Sequence, residues 1–156
     1  MTVPVEIDTP SPREVQTRRS FRALPELVFD AHTVPVLLKH WYGPPGWQML
    51  VCDIDLKPGG RYRFVTRQPA GKEIGQFGVY QEVARPHRIV HTENWEDWNP
   101  GEVTVTTRFE LTGNRTLVTV TTLFPSQQVR DQLIAAGMND GTEASYQKLD
   151  TLLMDA

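Results

Sequence analysis

The sequence predicts an α+β domain in which a curved, seven-stranded antiparallel sheet receives one long C-terminal helix. Three observations carry this. From Gln48 to Phe124, apolar and polar residues alternate with a period of two, in segments broken by proline, glycine and asparagine. Those segments follow one another through short turns, and neighbours joined that way pair antiparallel. From Met138 to Leu153, small or apolar residues (Met138, Gly141, Thr142, Ser145, Leu149, Leu152, Leu153) recur every three or four positions, which is the period of one helix face. One sheet face needs a cover, and this helix is what the chain offers for it.

At 156 residues the chain is expected to form one domain. A chain of this size buries roughly 68–70% of its unfolded surface, so it needs no disulfide or metal to fold. The single cysteine, Cys52, cannot form an intrachain bridge and suits a reducing, cytoplasmic setting. The N-terminus lacks the basic and apolar regions of a signal peptide. No apolar run approaches the length needed to span a membrane. The formal net charge of −3 gives no general attraction to nucleic acid or anionic lipid.

Pro4, Pro10 and Pro12 mark residues 1–13 as a flexible tail, and the domain is placed at 14–156. Glu14 to Ala23 is the first strand. Val15, Thr17, Phe21 and Ala23 share a face on which Arg19 is the misfit. Pro25 opens a short helix, because the N–H it lacks would be unpaired in a first turn anyway. Thr33 and Pro35 interrupt, and a second short helix runs to about His40. Trp41-Tyr-Gly-Pro-Pro-Gly turns the chain.

Leu50, Cys52, Ile54 and Leu56 form the apolar face of the next strand. Lys57-Pro-Gly-Gly is its turn. Tyr62, Phe64 and Thr66 then alternate with Arg61, Arg63 and Arg67. That puts rings and guanidinium groups on opposite faces and excludes a nucleic-acid-binding sheet built from both. Ile74 to Val83 follows, with Gly75 and Gly78 marking a bulge or a close approach. Ile89 to Trp95 is a strand whose inward face is left open, since Ile89 and Val90 are both apolar. Val103 to Leu111 and Val118 to Phe124 form a hairpin about Gly113-Asn114. Ser126 caps a helix to about Ala136, and Gly137 ends it.

Five stretches resemble the bacterial homologues of the heat-shock-protein ATPase activator C-terminal domain, within the START-like, or SRPBCC, superfamily. They are Trp41-Tyr-Gly-Pro, Asp55-Leu-Lys-Pro-Gly-Gly-Arg-Tyr, Gly78-Val-Tyr-Gln-Glu-Val, Ile89-Val-His-Thr-Glu, and Gly137 through Leu149. The resemblance runs from about Arg13 to Ala156. It departs at Tyr42, where the family often has a second tryptophan, and at Val34, where an acidic helix start is common. It implies a helix-grip fold, with a deep pocket between the sheet and the C-terminal helix.

One helix cannot blanket a curved sheet, so an apolar gap is expected between them, and such a gap is a default ligand site. The expected occupant is a small apolar or aromatic molecule, bound without committed catalysis and without a cofactor. The ligand-binding candidates are Tyr62, Phe64, Tyr80, His91, Trp95, Phe109, Met138 and Ser145. No histidine has metal-ligand spacing with Cys52 or a carboxylate, so no metal is expected.

His91 and Glu93 lie two apart and share a face. Facing inward they would form a polar pair able to orient a ligand or move a proton. The pattern favours the solvated face. Asp53 and Asp55 are read as outer-face residues. No nucleophile elbow or phosphate loop is present. Two other readings follow from the resemblance. One is a co-chaperone that stimulates a heat-shock ATPase, for which no appended domain or charged docking segment speaks. The other is a cyclase- or hydrolase-type enzyme using the same pocket. The chain is expected to be a monomer or a homodimer, with no nucleic-acid or membrane partner.

Overall fold

The computed structural model describes residues 3–154. Positions 1–2 and 155–156, the outer ends of the expected tail and domain, lie outside the described residues. The elements in order are β1 (Glu6–Asp8), β2 (Glu14–Phe21), α1 (Pro25–Thr33), α2 (Pro35–Trp41), β3 (Gln48–Ile54), β4 (Arg61–Arg67), β5 (Glu73–Ala84), β6 (Arg88–Trp95), β7 (Val103–Thr112), β8 (Arg115–Leu123), α3 (Gln127–Ala135) and α4 (Thr142–Met154). The strands form one antiparallel sheet in the order β1-β2-β8-β7-β6-β5-β4-β3.

The sheet therefore has eight strands where the sequence predicts seven. The additional strand, β1, lies inside the stretch expected to be a tail. It pairs with β2 from Glu6↔Arg18 to Asp8↔Gln16. The Glu6–Arg18 ion pair and the Glu143 carboxylate, which accepts the Val5 N–H, add to its anchorage. Three residues between prolines are too few to show a period, and their partners lie far along the chain.

The β3 face also differs from expectation. A register shift between Met49 and Val51 turns Met49 inward beside Cys52 and leaves Leu50 exposed, and the strand ends before Leu56. The two short helices begin with Pro25 and Pro35, as expected of proline in a first turn. The β7–β8 turn sets Gly113 at φ +66, the positive value a two-residue hairpin turn needs at its first central position.

The C-terminal helix is shorter than the period of three or four suggests. Ser126 caps α3 by accepting the Val129 N–H. Gly137, at φ +90, ends it, with its own N–H on the Ile134 carbonyl and the Met138 N–H on Leu133. Residues 138–141 are turn, and α4 starts only after Gly141, whose φ of +79 is incompatible with a right-handed helix. Gly141 nevertheless marks a close approach. A Cβ there would collide with the Pro44 ring in the segment after α2.

Arg19 is the apolar-face misfit, and the structure resolves it. Its side chain is fully enclosed, on the inner face of β2 under α4. Nε and Nη2 donate to the two Glu143 oxygens at 3.1 and 2.9 Å. Nη1 and Nη2 donate to the two Asp150 oxygens at 2.9 and 2.7 Å. Nη1 also reaches the Ser20 carbonyl. All the donors of the guanidinium are matched, and it sits 4.9 Å from the Phe21 ring centre. Burial alone would lower the Arg19 pKa, but the hydrogen bonds it donates to Asp150 and Glu143 outweigh it and raise the value. The hydrogen bond from Arg19 holds Glu143 below its ordinary value of 4.5. That contribution is present above 4.5 and is lost as pH falls through the lower folded value.

Two predictions follow from these contacts. Replacing both partners, Glu143→Gln with Asp150→Asn, leaves a buried guanidinium without a counter-charge and is expected to cost about 3–5 kcal/mol in denaturant unfolding. An unchanged midpoint would show that the clamp contributes nothing. Gly141→Leu is expected to destabilise by about 1–3 kcal/mol, from the positive φ and the Pro44 contact together. Equal thermal stability of that variant would show that the Pro44 contact gives way freely.

Candidate functional site

Residues paired directly across the strands point to the same side, so the register fixes what the inner face offers. Tyr62 lies opposite Gly78, and Phe64 opposite Gln76. Gln76 lies opposite Trp95, and Tyr80 opposite His91. Glu93 lies opposite Val103, which is fully buried, and His91 opposite Val105. His91 and Glu93 therefore face inward. The solvated orientation that the pattern favoured is overturned, because the register with β7 decides what two adjacent apolar residues, Ile89 and Val90, could not.

The buried residues form two clusters, one around Phe21, Phe29, Trp41, Tyr62 and Leu149, the other around Val15, Val103, Phe124 and Leu133. Between them, in the middle of the inner face, His91, Glu93, Trp95, Val120 and Thr122 are only half-buried. Ile89 and Val103, on the same face nearby, are closed. Accessible surface on the inner face, with closed packing on either side, marks this stretch as the candidate recess.

A break in the β5–β6 pairing shapes this recess. Pairing runs Gln76↔Trp95 and Phe77↔Asn94, resumes at Tyr80↔His91, and then shifts register between Tyr80 and Glu82. The Val79 N–H bonds the Thr92 hydroxyl at 2.9 Å. The Thr92 carbonyl instead accepts the Tyr62 O–H at 2.6 Å. Gly78 makes room for this. A Cβ there would lie 2.9 Å from the Tyr62 ring and would collide with the Thr92 carbonyl. Tyr62 crosses β5 at this point to meet His91, with ring centres 5.2 Å apart in an edge-on arrangement, and Tyr80 at 5.4 Å.

The hydrogen bonds fix the His91 tautomer. Its Nδ1 lies 3.1 Å from the Thr92 carbonyl and 3.2 Å from the Tyr62 oxygen, which has already donated its proton. Nδ1 therefore carries the hydrogen, and Nε2 is left as an acceptor. Nearby, the Gln76 amide donates to the Tyr42 oxygen at 2.8 Å and to Glu93 Oε1 at 3.0 Å. Among the described residues, Glu93 Oε2 has no hydrogen-bond partner.

Burial raises Glu93 from 4.5 to about 7 and lowers His91. Burial first, and the Glu93 charge second, push the Tyr42 and Tyr62 hydroxyls up. The site thus holds a carboxylate that titrates near neutrality among neutral rings. Such a group can donate or accept a proton or meet a charged ligand.

Six of the sequence-predicted residues lie on the inner face: Tyr62, Phe64, Tyr80, His91, Trp95 and Phe109. Tyr62, Tyr80 and His91 meet directly. Phe109 is apart from them, fully buried under α1 against Phe29 and His32 at 5.3 and 5.1 Å. Met138 lies in the α3–α4 turn and is exposed, because the helix starts later than expected. Ser145 donates its hydroxyl to the Trp41 carbonyl at 2.8 Å, tying α4 to the end of α2. Its small size serves helix packing.

Tyr42, Gln76, Val120 and Thr122 were missed as site residues. Gln76 shares the parity of Tyr80 and was findable. Tyr42 lies in a turn, where no period operates. A separate open cleft of about 260 Å³, lined by His40, Lys148, Thr151 and Leu152, lies along α2 and α4, away from the inner-face rings. Among the described residues there is no cluster of three or more metal-ligating side chains, and no helix is long and apolar enough to cross a membrane.

The sequence profile of the family described as "Activator of Hsp90 ATPase homolog 1-like protein" matches residues 22–154. The chain belongs to this family. A protein from Rhodobacter sphaeroides is similar at 30% identity, covering 99% of this chain and 100% of its own, with a TM-score of 0.92. One from Nitrosomonas europaea shares 24% identity over 94% of this chain and 97% of its own, with a TM-score of 0.84. One from Mycobacterium smegmatis shares 23% identity over 98% and 97%, also at 0.84. The last two, at that identity, speak for the fold alone. No curated protein matches the chain. The family and these structures agree with the helix-grip, START-like architecture that the resemblance implied.

Glu93 and His32 oppose one another in pH. Glu93 binds its proton more tightly when folded, so its contribution is full below 4.5 and is lost as pH rises through about 7. Burial lowers His32 to about 4, so its neutral form contributes above 6.5 and the contribution is lost as pH falls through about 4. Glu93→Gln is therefore expected to stabilise the protein above neutrality by about 1–3 kcal/mol relative to the parent, with little difference in acid. Urea unfolding across the pH range measures this. A difference that does not change with pH would show that folding leaves the Glu93 pKa where it is in the unfolded chain.

Proposed function

We propose that the protein binds a small apolar or aromatic molecule in the recess between the centre of the sheet and the helices, as a binding protein without committed catalysis. The observation that carries this reading is the half-buried state of His91, Glu93, Trp95, Val120 and Thr122 in the middle of an otherwise closed inner face. Fully packed interiors reach a density of about 0.74, and inner-face residues at a sheet centre then lose their accessible surface. Here the rings of Tyr42, Tyr62 and Phe64 pack together beside His91, Gln76 and Glu93, with Trp95 opposite Gln76 on β6, the usual composition of a ligand site. A cytoplasmic setting accords with the single cysteine. The family's description names activation of a heat-shock ATPase. That reading rests on the family, whereas the ligand reading rests on the side chains of this chain.

Titration with a fluorescent apolar probe tests the proposal, with Trp95 emission as a second signal. Saturable binding is expected. Val120→Trp, which fills the recess from β8, is expected to weaken it by at least about tenfold, equivalent to roughly 1.4 kcal/mol, while unfolding stays cooperative. A parent protein that shows no saturable binding would sink the reading.

A further inference from the structure

The recess contains a carboxylate without a cation. Among the described residues, Glu93 forms no ion pair, whereas the other salt bridges each join a carboxylate to a lysine or arginine. The inner-face guanidinium, Arg19, is fully engaged by Glu143, Asp150 and the Ser20 carbonyl. Both N–H groups of the Gln76 amide are taken, one by Tyr42 and one by Glu93 Oε1. Glu93 Oε2 and His91 Nε2 remain as acceptors on one face of β6. Around them stand aromatic rings. Tyr42 shares the Gln76 amide with Glu93, Phe64 lies 5.5 Å from Tyr42, and Trp95 is the next inward residue on β6.

This arrangement discriminates by charge. The faces of aromatic rings are electronegative and attract cations. An ionised carboxylate adds to that field, and a half-buried site screens it poorly. A bound anion would meet repulsion from Glu93. A neutral apolar ligand would leave Oε2 and Nε2 desolvated and unpaired, which is costly. An ammonium group offers up to three N–H donors, enough for both acceptors, and supplies the missing counter-charge.

We propose that the recess selects organic cations: a protonated primary or secondary amine carried on an aromatic or aliphatic body. The ammonium lies between Glu93 and the rings of Tyr42 and Trp95, and the body lies over Val120. This rests on the ligand-binding reading above and narrows it to one charge class. The titratable groups that share the recess with Glu93 are Tyr42, Tyr62, Tyr80, His91 and, from β3, Cys52. Burial disfavours the charged form of each of them, so Glu93 is the group that ionises when the cation arrives.

The test is calorimetric titration with three ligands that differ in one group: 2-phenylethylamine, 2-phenylethanol and phenylacetate. The amine is expected to bind at least about tenfold more tightly than the alcohol, with the acid weakest. Amine binding near neutrality is expected to release protons, because Glu93 ionises. In Glu93→Gln the difference between amine and alcohol is expected to collapse. An alcohol or acid that binds as tightly as the amine overturns the cation proposal and leaves the ligand-binding reading intact, as does an amine preference that survives Glu93→Gln. Saturable binding of the apolar probe with none of the three ligands overturns the cation proposal alone. If the apolar probe also fails, both fall.

Discussion

A single buried guanidinium holds the helical layer in place. Arg19 points from β2 into the face where α4 lies, and Glu143 and Asp150 reach it from the first and later turns of that helix. The two carboxylates are seven positions apart, about two turns, so both lie on the same side of α4. The bonds fix the rotation of α4 about its axis and its position along β2. Apolar contacts alone, being non-directional, would leave both looser. From that anchor the geometry passes onward. Ser145 of α4 grips the Trp41 carbonyl at the end of α2, and the next residue, Tyr42, is thereby held over Gln76 and Glu93. The Trp41 indole N–H, bonded to the Ala31 carbonyl, locks α2 against α1. The position of the recess roof thus traces back, contact by contact, to a charge on β2, on the same face of the sheet.

The floor of the recess depends on a different constraint, the break in the β5–β6 pairing. An intact ladder would send the Thr92 carbonyl toward β5. Here the Thr92 hydroxyl takes the Val79 N–H, and the carbonyl is free for Tyr62. The Val79 N–H and the Thr92 carbonyl both keep a partner in this exchange, as buried polar groups require. The result is a ring that lies across a glycine and orients His91. Gly78 is needed for lack of a side chain rather than for an unusual dihedral angle, since its φ is not positive.

These two constraints leave opposite electrostatic conditions within one small domain. At Arg19, burial is offset by complete pairing, and the charge is stable there. At Glu93, burial meets one amide hydrogen bond and no counter-charge, and the carboxyl shifts toward the neutral form. The first condition is structural. The second is the kind of unmatched polarity that binding sites retain.

The sequence by itself determined the order of the elements from β2 onward, the turns between strands, the helix start at Pro25, and the α3 cap at Ser126. Each depends on local dihedral preference or on a period visible within one segment. It also marked Arg19, Gly78 and Gly141 as out of place, because a charge or a missing side chain on a core face breaks a local pattern. The tertiary structure alone decided what those residues were for. The carboxylate partners of Arg19 lie more than a hundred positions away, and the Pro44 ring that Gly141 admits belongs to another segment. The inward turn of His91 and Glu93 was likewise beyond local reading, since β6 is apolar on both faces at its start and its register comes from β7. Met138 and Ser145 fit a helix period by composition, yet one lies before the helix and the other bonds a neighbouring helix. A period reports which residues can share a face; it does not report where backbone geometry ends the helix, or what the face meets.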